Sequence, residues 1–304
     1  MIERSLQNVS ASIHQRLLNI AKETGRPFNE LLQYFAMERF LFRLSRSTHV
    51  NSFVLKGALL FRVWGTHDSR ATRDIDFLAY DDNSPENIAS IIREICTITD
   101  VDDGLSFDAE SVTAQRIKED ADYEGVRVRF RGQLGNARIH MQVDVGFGDL
   151  IHPGAIHVEY PSLLDLATPL LRSYTPETVI AEKSQAMVHL GSLNSRMKDF
   201  YDIWRMSRQF DFQGKILQEA IQLTFANRDT EFVVFKDLTQ ELLESKDIKM
   251  QWLAFRRKVP VEAPDSFADI IEAISNFLAP VFATTIGGQT FEKHWKVPGP
   301  WIDG

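Results

Sequence analysis

The sequence predicts an α+β fold, with strands and helices in a first domain over residues 1–174 and a helical second domain over residues 175–304. Runs that alternate apolar and polar residues, typical of half-buried strands, recur between residues 53 and 160. Two helical segments, over 10–22 and 27–46, precede them as a hairpin. After the helix-start signal Thr175-Pro176-Glu177, apolar residues recur with the period of amphipathic helices.

The composition limits the functions that the chain can have. Its 304 residues are 44% hydrophobic and 25% charged, which is typical of a globular protein long enough for two domains. The formal charge of −8 excludes a surface that binds nucleic acid as a whole, so a polyanionic substrate needs a local basic patch, for which Arg62, Arg70 and Arg73 are candidates. The single cysteine, Cys96, excludes an internal disulfide and is predicted to be a buried structural thiol.

The cellular location is predicted from targeting signals. No uninterrupted apolar run approaches the length of a bilayer span, and the first residues lack the apolar core of a signal peptide. We therefore expect a cytoplasmic protein with no membrane partner. The basic residues of the N-terminal hairpin are interpreted as a solvated helix surface, with nucleic-acid binding as the open alternative; they are Lys22, Arg26, Arg39, Arg43 and Arg46.

Asp74 and Asp76 begin a strand-like run that ends near Tyr80. Since strand side chains alternate between faces, both carboxylates are expected on one face, roughly 6–7 Å apart along the chain. Such a pair suits Mg²⁺, which prefers oxygen ligands and relieves the repulsion between like charges. A solvated loop is the alternative for an isolated pair of this kind.

Upstream, Lys56-Gly57-Ala58 follows a short apolar strand and precedes a short helical segment. Backbone N–H groups at such a turn can bind phosphate oxygens, although ordinary turn chemistry also explains the glycine.

Downstream, strands over 125–134 and 137–146 are joined by a turn, and the second places Asp144 on its polar face. A strand laid beside Asp74 would bring this third carboxylate into the same cluster.

Lys183 lies on the apolar face of the helix that starts at Thr175. Either its stem lies along the core and its ammonium reaches water, or the ammonium points into an anion pocket. Asp199 and Asp202 share one face of the next helix, and a preference for acids near a helix start explains Asp199 well and Asp202 less well. Further helices are predicted over 214–223, 237–246, 250–256 and 265–278. The tail from Thr285 has no regular pattern and is expected to pack on the surface or remain mobile.

The motifs in order are Lys56-Gly57, Thr72-Arg73-Asp74-Ile75-Asp76, Val143-Asp144-Val145, Ala181-Glu182-Lys183 and Arg196-Met197-Lys198-Asp199-Phe200-Tyr201-Asp202. This combination resembles the AbiEii/AbiGii toxin family of nucleotidyltransferases, to which the mycobacterial MenT toxins are related. The resemblance covers roughly residues 53–204 and rests on the ensemble of motifs.

The resemblance implies a DNA polymerase β-like nucleotidyltransferase core, a mixed sheet flanked by helices, and a C-terminal helical domain. It implies Mg²⁺ bound by Asp74 and Asp76, with Asp144 completing the carboxylate set. Lys183 would hold the nucleotide phosphates, and Asp199 and Asp202 would line the same catalytic site. The remaining nucleotide-binding candidates are Lys56, Gly57, Ala58, Ser69, Thr72, Arg73 and Lys198.

The function implied is that of a toxin in a bacterial abortive-infection or toxin–antitoxin system. Such a toxin transfers a nucleoside monophosphate from an NTP to an RNA acceptor, here the tRNA 3′ end, and so blocks translation. An AbiEi-like antitoxin would be its partner. One departure concerns Ala58, because the superfamily often has serine after the glycine; Ser69 and Thr72 are possible substitutes.

Other functions stay open at this point. The same metal chemistry could transfer a nucleotide to a protein or a small molecule. A non-catalytic module that binds nucleotide or antitoxin is the alternative from another class, and Ala58 gives it some support. A DNA-binding regulator is disfavoured by the acidic net charge and by the lack of a recognisable reading helix.

Overall fold

The computed structural model describes residues 2–65, 72–80, 82–99, 101–120, 123–259 and 263–303. The chain forms two compact units. The first unit comprises Met1–Gly148 and Ile156–Ser173, and the second comprises Asp149–Ala155 and Tyr174–Gly304.

The first unit is a mixed seven-stranded sheet with helices, as the fold class predicts. Its strands follow the spatial order β3-β4-β5-β2-β1-β7-β6, in which β2 pairs parallel with β5, and β1 parallel with β7. Within the described residues, its helices are α1 (Ile2–Thr24), α2 (Phe28–Arg46), α3 (Leu60–Val63) and α4 (Pro85–Cys96). Its strands are β1 (Phe53–Lys56), β2 (Asp74–Ala79), β3 (Leu105–Asp120), β4 (Tyr123–Leu134), β5 (Ala137–Phe147), β6 (Ile156–Glu159) and β7 (Leu170–Ser173).

Local sequence signals explain most of these elements. The Ser84 hydroxyl accepts a hydrogen bond from the Asn87 N–H and caps α4, with Pro85 at the first helical position, as predicted. The predicted hairpin of β4 and β5 is also confirmed. β3 was not predicted, because a register shift between Asp108 and Thr113 interrupts its alternation.

One face of the β3–β4–β5 segment is covered and the other is exposed. α4 packs against β3 and β4, and α2 packs against β5. The rings of Phe40 on α2, Phe107 on β3 and Phe130 on β4 meet under this cover, with centroids 5.1–5.7 Å apart. The alternate positions of β4 and β5 face away from the helices and are polar. The unit therefore keeps its core on one side of these strands.

The prediction of a solvated basic surface on the N-terminal hairpin is wrong for Arg39 and Arg43. Both are 2% exposed, and both guanidinium groups hydrogen-bond Asp103, which is 1% exposed. Two buried cations need a buried counter-charge, and the loop before β3 supplies it. These arginines therefore tie α2 to β3 and do not face a nucleic acid.

Cys96 is confirmed as a buried thiol, at the C-terminal end of α4. It is 3% exposed. Burial raises the pKa of the thiol to about 12. Since the thiolate is the reactive form, this cysteine has a structural role and no nucleophilic one.

The second unit is mainly helical, and the predicted helices α5 to α10 are confirmed. Within the described residues its helices are α5 (Pro176–Leu190), α6 (Met197–Ser207), α7 (Gly214–Asn227), α8 (Phe235–Glu244), α9 (Lys246–Arg256) and α10 (Phe267–Ile286). Its strands are β8 (Phe212–Gln213), β9 (Lys293–Trp295) and β10 (Trp301–Asp303), which form a small antiparallel sheet in the order β10-β9-β8.

The tail from Thr285 is packed, which is one of the two expected outcomes, and it forms β9 and β10, which its sequence pattern did not predict. Trp295 is 3% exposed, and its indole N–H donates to the Ser207 carbonyl. Trp301 stacks on Phe277 of α10 with an interplanar angle of 2°, and its indole N–H donates to the Phe277 carbonyl. These ring contacts join residues far apart in sequence, so a short-range pattern does not reveal them, and they fix the tail on the helical core.

Among the helices that the structure describes, one, α10, is long and apolar enough by composition to cross a bilayer. A helix over 265–278 was predicted, but its bilayer-like length and composition were not, because polar residues interrupt its apolar run. Apolar side chains along it are buried within the second unit, where α10 packs against α6, α7 and α8. A core helix passes the same test of length and composition.

We expect Asp103→Asn to lower the free energy of unfolding by about 3–5 kcal/mol, because it leaves the buried guanidinium groups of Arg39 and Arg43 without their shared counter-charge. Urea unfolding followed by circular dichroism measures the change. Asp102→Asn, at the neighbouring exposed residue, is the matched control and should change stability by less than about 0.5 kcal/mol. Equal effects of the two substitutions would contradict the role given to Asp103.

Candidate active site

A row of charged residues crosses the sheet of the first unit. In the parallel pair of β2 and β5, Asp76 lies opposite Asp144. β1 places Lys56 opposite Asp76, and β4 places Arg127 opposite Asp144. Directly paired residues project to the same face of a sheet, so these four side chains form one row. Asp74 lies on the same face, two residues before Asp76 on β2, as the sequence predicts.

Arg127 holds the carboxylate of Asp144 at the end of this row. Its Nε and NH2 groups donate to the two carboxylate oxygens at 2.8 and 2.7 Å, and Gln142 Nε2 donates to one of them at 3.3 Å. The hydrogen bonds with Asp144 raise the pKa of Arg127, and the charges of Asp74 and Asp76 raise it further. The guanidinium therefore lies in the field of all three carboxylates.

Gly57 forms the predicted turn between β1 and a 3₁₀ turn at Gly57–Leu59 that leads into α3. Its φ is +74°, a backbone conformation that favours glycine. A Cβ at this position would lie 2.0 Å from Oδ2 and 2.8 Å from Cβ of Asp76. The glycine therefore lets the backbone approach the side chain of Asp76 closely. Ala58 is 6% exposed and brings no hydroxyl to the turn.

The remaining candidates of the first unit surround this turn and the start of β2. The Thr72 N–H donates to the Tyr34 hydroxyl at 3.1 Å, and Arg73 is exposed. The guanidinium of Arg62 lies over the Tyr34 ring, 4.6 Å from its centroid. Lys56 is 7% exposed. Two further candidates, Ser69 and Arg70, lie outside the described residues.

Lys183, Asp199 and Asp202 form a cluster in the second unit. The Lys183 ammonium lies 2.5 Å from Oδ1 of Asp199 and 2.9 Å from Oδ2 of Asp202. The two carboxylates are 7% and 1% exposed, and the lysine side chain is 15% exposed. The ammonium therefore pairs with two carboxylates of its own unit, and its role as a ligand of nucleotide phosphates stays a prediction. Lys198, on the same helix as the aspartates, is exposed.

A family model described as nucleotidyl transferase AbiEii toxin, type IV toxin–antitoxin system, matches residues 39–274. The chain belongs to this family. The match includes both charged clusters and confirms the resemblance inferred from the motifs. Membership in the AbiEii family implies a nucleotide substrate and a cognate antitoxin.

Solved structures similar to this AbiEii-family chain come from Helicobacter pylori. The crystal structure of JHP933 is 12% identical, with a TM-score of 0.49, over 85% of this chain and 95% of that one. A second H. pylori structure, described as a presumed nucleotidyltransferase, is 12% identical, with a TM-score of 0.48, over 84% of this chain and 96% of that one. No curated protein sequence matches this chain at a significant level.

Sequence reasoning missed Arg127, although a signal for it exists. The turn at Gly135-Asn136 pairs Leu134 with Ala137. Counting back along β4 and forward along β5 by the same number of residues places Arg127 opposite Asp144. A uniform antiparallel register was therefore sufficient to find this contact.

A second missed group in the AbiEii-family chain surrounds Arg228. Its Nε and NH2 groups donate to Oδ1 of Asp149 at 3.1 and 2.8 Å, and its NH1 group donates to Gln185. Glu182, the neighbour of Lys183, lies 3.7 Å from the guanidinium and accepts a hydrogen bond from the Tyr174 hydroxyl. Asp149 and Arg228 are far apart in sequence, so no local pattern predicts this group.

We expect Gly57→Ala to lower the free energy of unfolding by about 1–3 kcal/mol more than Gly65→Ala does. Gly65 is the matched control, since its φ of +73° carries the same backbone cost and nothing lies within 4 Å of an added Cβ. Rotation of the Asp76 carboxylate cannot relieve the clash, because its own Cβ is among the clashing atoms. Urea unfolding of both variants measures the difference, and equal losses would show that Gly57 is needed for its φ alone.

Proposed function

We propose that this AbiEii-family protein is an Mg²⁺-dependent nucleotidyltransferase that acts in the cytoplasm on an RNA acceptor, the tRNA 3′ end, and so blocks translation. The observation that carries the proposal is the paired carboxylates of Asp74 and Asp76, half-exposed on one face of β2 beside Asp144. An AbiEi-like antitoxin would be its cognate partner.

The residues of the first unit fit a magnesium ion in the way that nucleotide-dependent enzymes hold one. Mg²⁺ is commonly bound by one or two carboxylates, with water and substrate phosphates completing six ligands. Asp74 and Asp76 supply that pair. Among the described residues, no group of three or more His, Cys, Asp or Glu gathers around one point as a ready-made metal cage. Asp144 would join the set as a third ligand if its carboxylate turned from Arg127.

The bound metal would lower the pKa of the attacking hydroxyl and neutralise charge on the reacting phosphate. The chain's own residues would position the substrate. Lys183, with its ammonium fixed by Asp199 and Asp202, would bind NTP phosphates. The Gly57 turn, with Ala58 in place of a hydroxyl-bearing residue, would offer backbone N–H groups, supported by Lys56, Thr72, Arg73 and Lys198. No covalent enzyme intermediate is needed.

Two alternatives share part of this account. Transfer to a protein or a small molecule would use the same carboxylates with another acceptor. A non-catalytic module would bind nucleotide or antitoxin and transfer nothing. The identity of the labelled acceptor distinguishes the first alternative from the proposed function. A requirement of activity for Asp76 distinguishes the second.

We expect purified protein to transfer label from at least one of the four α-labelled NTPs to RNA in a total cell extract, and to purified tRNA, only when Mg²⁺ is present. Asp76→Asn should reduce the rate at least about 10²-fold, because it removes a negative charge that would hold the metal, and the metal would neutralise charge on the reacting phosphate. Asp102→Asn, an exposed acid, is the control. Label in protein rather than in RNA would contradict the proposed acceptor, and no transfer at all would favour the non-catalytic module.

Expression of the wild-type chain should arrest bacterial growth, and expression of Asp76→Asn or Lys183→Ala should not. Lys183→Ala leaves Asp199 and Asp202 without this counter-charge, so circular dichroism must show that it folds. Asp76 is half-exposed and asparagine has the same shape as aspartate, so we expect Asp76→Asn to fold. The Asp76 variant therefore still tests the proposal if Lys183→Ala does not fold. Growth arrest that persists with a folded variant would show that transfer chemistry is not its cause.

A further inference from the structure

The exposed face of β4 and β5 carries a ladder of basic side chains. We define the arginine face as Arg127, Arg129 and Arg131 on β4 with Arg138 and His140 on β5. All but the half-exposed Arg127 are exposed. The helices α2 and α4 cover the opposite face of these strands. This side of the sheet is therefore accessible and basic in a chain whose formal charge is −8.

Acidic neighbours neutralise only part of this face. Arg127 pairs with Asp144 at 2.7 Å, and Arg131 pairs with Asp108 at 2.8 Å in an exposed ion pair. Arg129 donates instead to the neutral Gln142 at 3.2 Å. In the part of the chain that the structure describes, neither Arg129 nor Arg138 is in an ion pair. The charges of these two arginines are therefore available to an anionic ligand.

The register connects the arginine face to the candidate active site. Arg127 shares its row with Asp144 and Asp76, while Arg129 shares the next row with Gln142 and Asp74. Successive arginines on β4 are two residues apart, or roughly 6.6–6.8 Å along the strand. The basic residues therefore begin beside the carboxylates and extend along β4 and β5, beyond the start of β2, to the turn that joins β4 and β5.

A shallow depression accompanies the ladder where the β3 register shifts. Its volume is about 350 Å³, and its lining includes Thr113, Arg129, Arg131 and His140 together with Glu110. Hydroxyl, imidazole and guanidinium groups are donors that contact phosphate and sugar oxygens. The depression therefore offers a concave polar surface beside the arginine that lacks an acidic partner.

We propose that the arginine face binds the sugar–phosphate backbone of the RNA acceptor and directs its 3′ end towards Asp74 and Asp76. The inference rests on the proposed function and adds the surface that holds the acceptor. Outward positions from Arg127 to Gln133 and from Arg138 to Asp144 carry no apolar side chain. A protein partner would need an apolar or aromatic centre of contact, whereas an RNA backbone needs charge at regular intervals.

The test uses Arg129→Gln, Arg138→Gln and the double variant of the full chain. Fluorescence anisotropy with 5′-labelled tRNA gives the Kd over a series of KCl concentrations without NTP. Each arginine that contacts a phosphate contributes about 0.7–0.9 to the slope of log Kd against log salt, so the double variant should lose roughly 1.5. Its Kd should rise about fivefold or more at low salt. The double variant Lys215→Gln with Lys249→Gln removes two exposed charges from the second unit and should change neither quantity.

Transfer to a trinucleotide, which is too short to lie along the ladder, separates this inference from the proposed function. Wild type and the arginine double variant should modify it at the same rate, while transfer to tRNA falls in the variant. An unchanged salt slope in the double variant would contradict RNA binding by the arginine face, even if wild type transfers to RNA normally. Absence of any transfer by wild type would instead overturn the proposed function. Equally tight binding of polyglutamate, weakened by the same substitutions, would show a general polyanion patch and contradict an RNA-binding surface.

Discussion

The parallel pairing of β2 with β5 is the constraint on which the first unit's site depends. It places Asp76 opposite Asp144, one strand spacing of about 4.8 Å away. A slip of one residue would place Val143 or Val145 beside Asp76 and turn one strand's polar face into the core. The buried valines therefore fix the register, and the register fixes the positions of the carboxylates. The alternation of apolar and acidic residues on these strands therefore determines both the packing of the core and the position of the carboxylates.

Cationic residues lie at both ends of the carboxylate row. Two carboxylates on adjacent strands repel each other, and the repulsion grows as water is excluded. Arg127 offsets it with two hydrogen bonds to Asp144, and Lys56 projects to the same face beside Asp76. The row can therefore form without a bound metal. The second unit follows the same rule, since Lys183 pairs with both Asp199 and Asp202 and offsets part of their charge, and Asp202 is nearly inaccessible to water.

Local patterns predicted the elements that carry the chemistry. The alternation after Asp74 predicted β2 and its polar face. The glycine at position 57 predicted the turn after β1, and Thr175-Pro176 predicted the start of α5. These signals are local because strand alternation and helix capping involve residues a few positions apart. The family resemblance used the same motifs, and the family match confirms it.

Features that depend on distant residues could not be predicted in this way. The parallel neighbour of β2 comes after α4, β3 and β4 in sequence, so the alternation around Asp144 made β5 a candidate, and tertiary packing selects it. Arg39 and Arg43 have the composition of a solvated helix face, and the loop residue Asp103 makes their burial possible. The Gly- and Pro-containing tail forms strands because Trp295 and Trp301 find positions against Phe277.

Isothermal titration calorimetry with a non-hydrolysable NTP tests most directly whether Asp74 and Asp76 are the metal–nucleotide site. Wild type should bind the nucleotide at least about tenfold more tightly with Mg²⁺ than without it. The double variant Asp74→Asn with Asp76→Asn should lose that difference while remaining folded. Mg²⁺-dependent binding that is the same in the variant and in wild type would contradict the account.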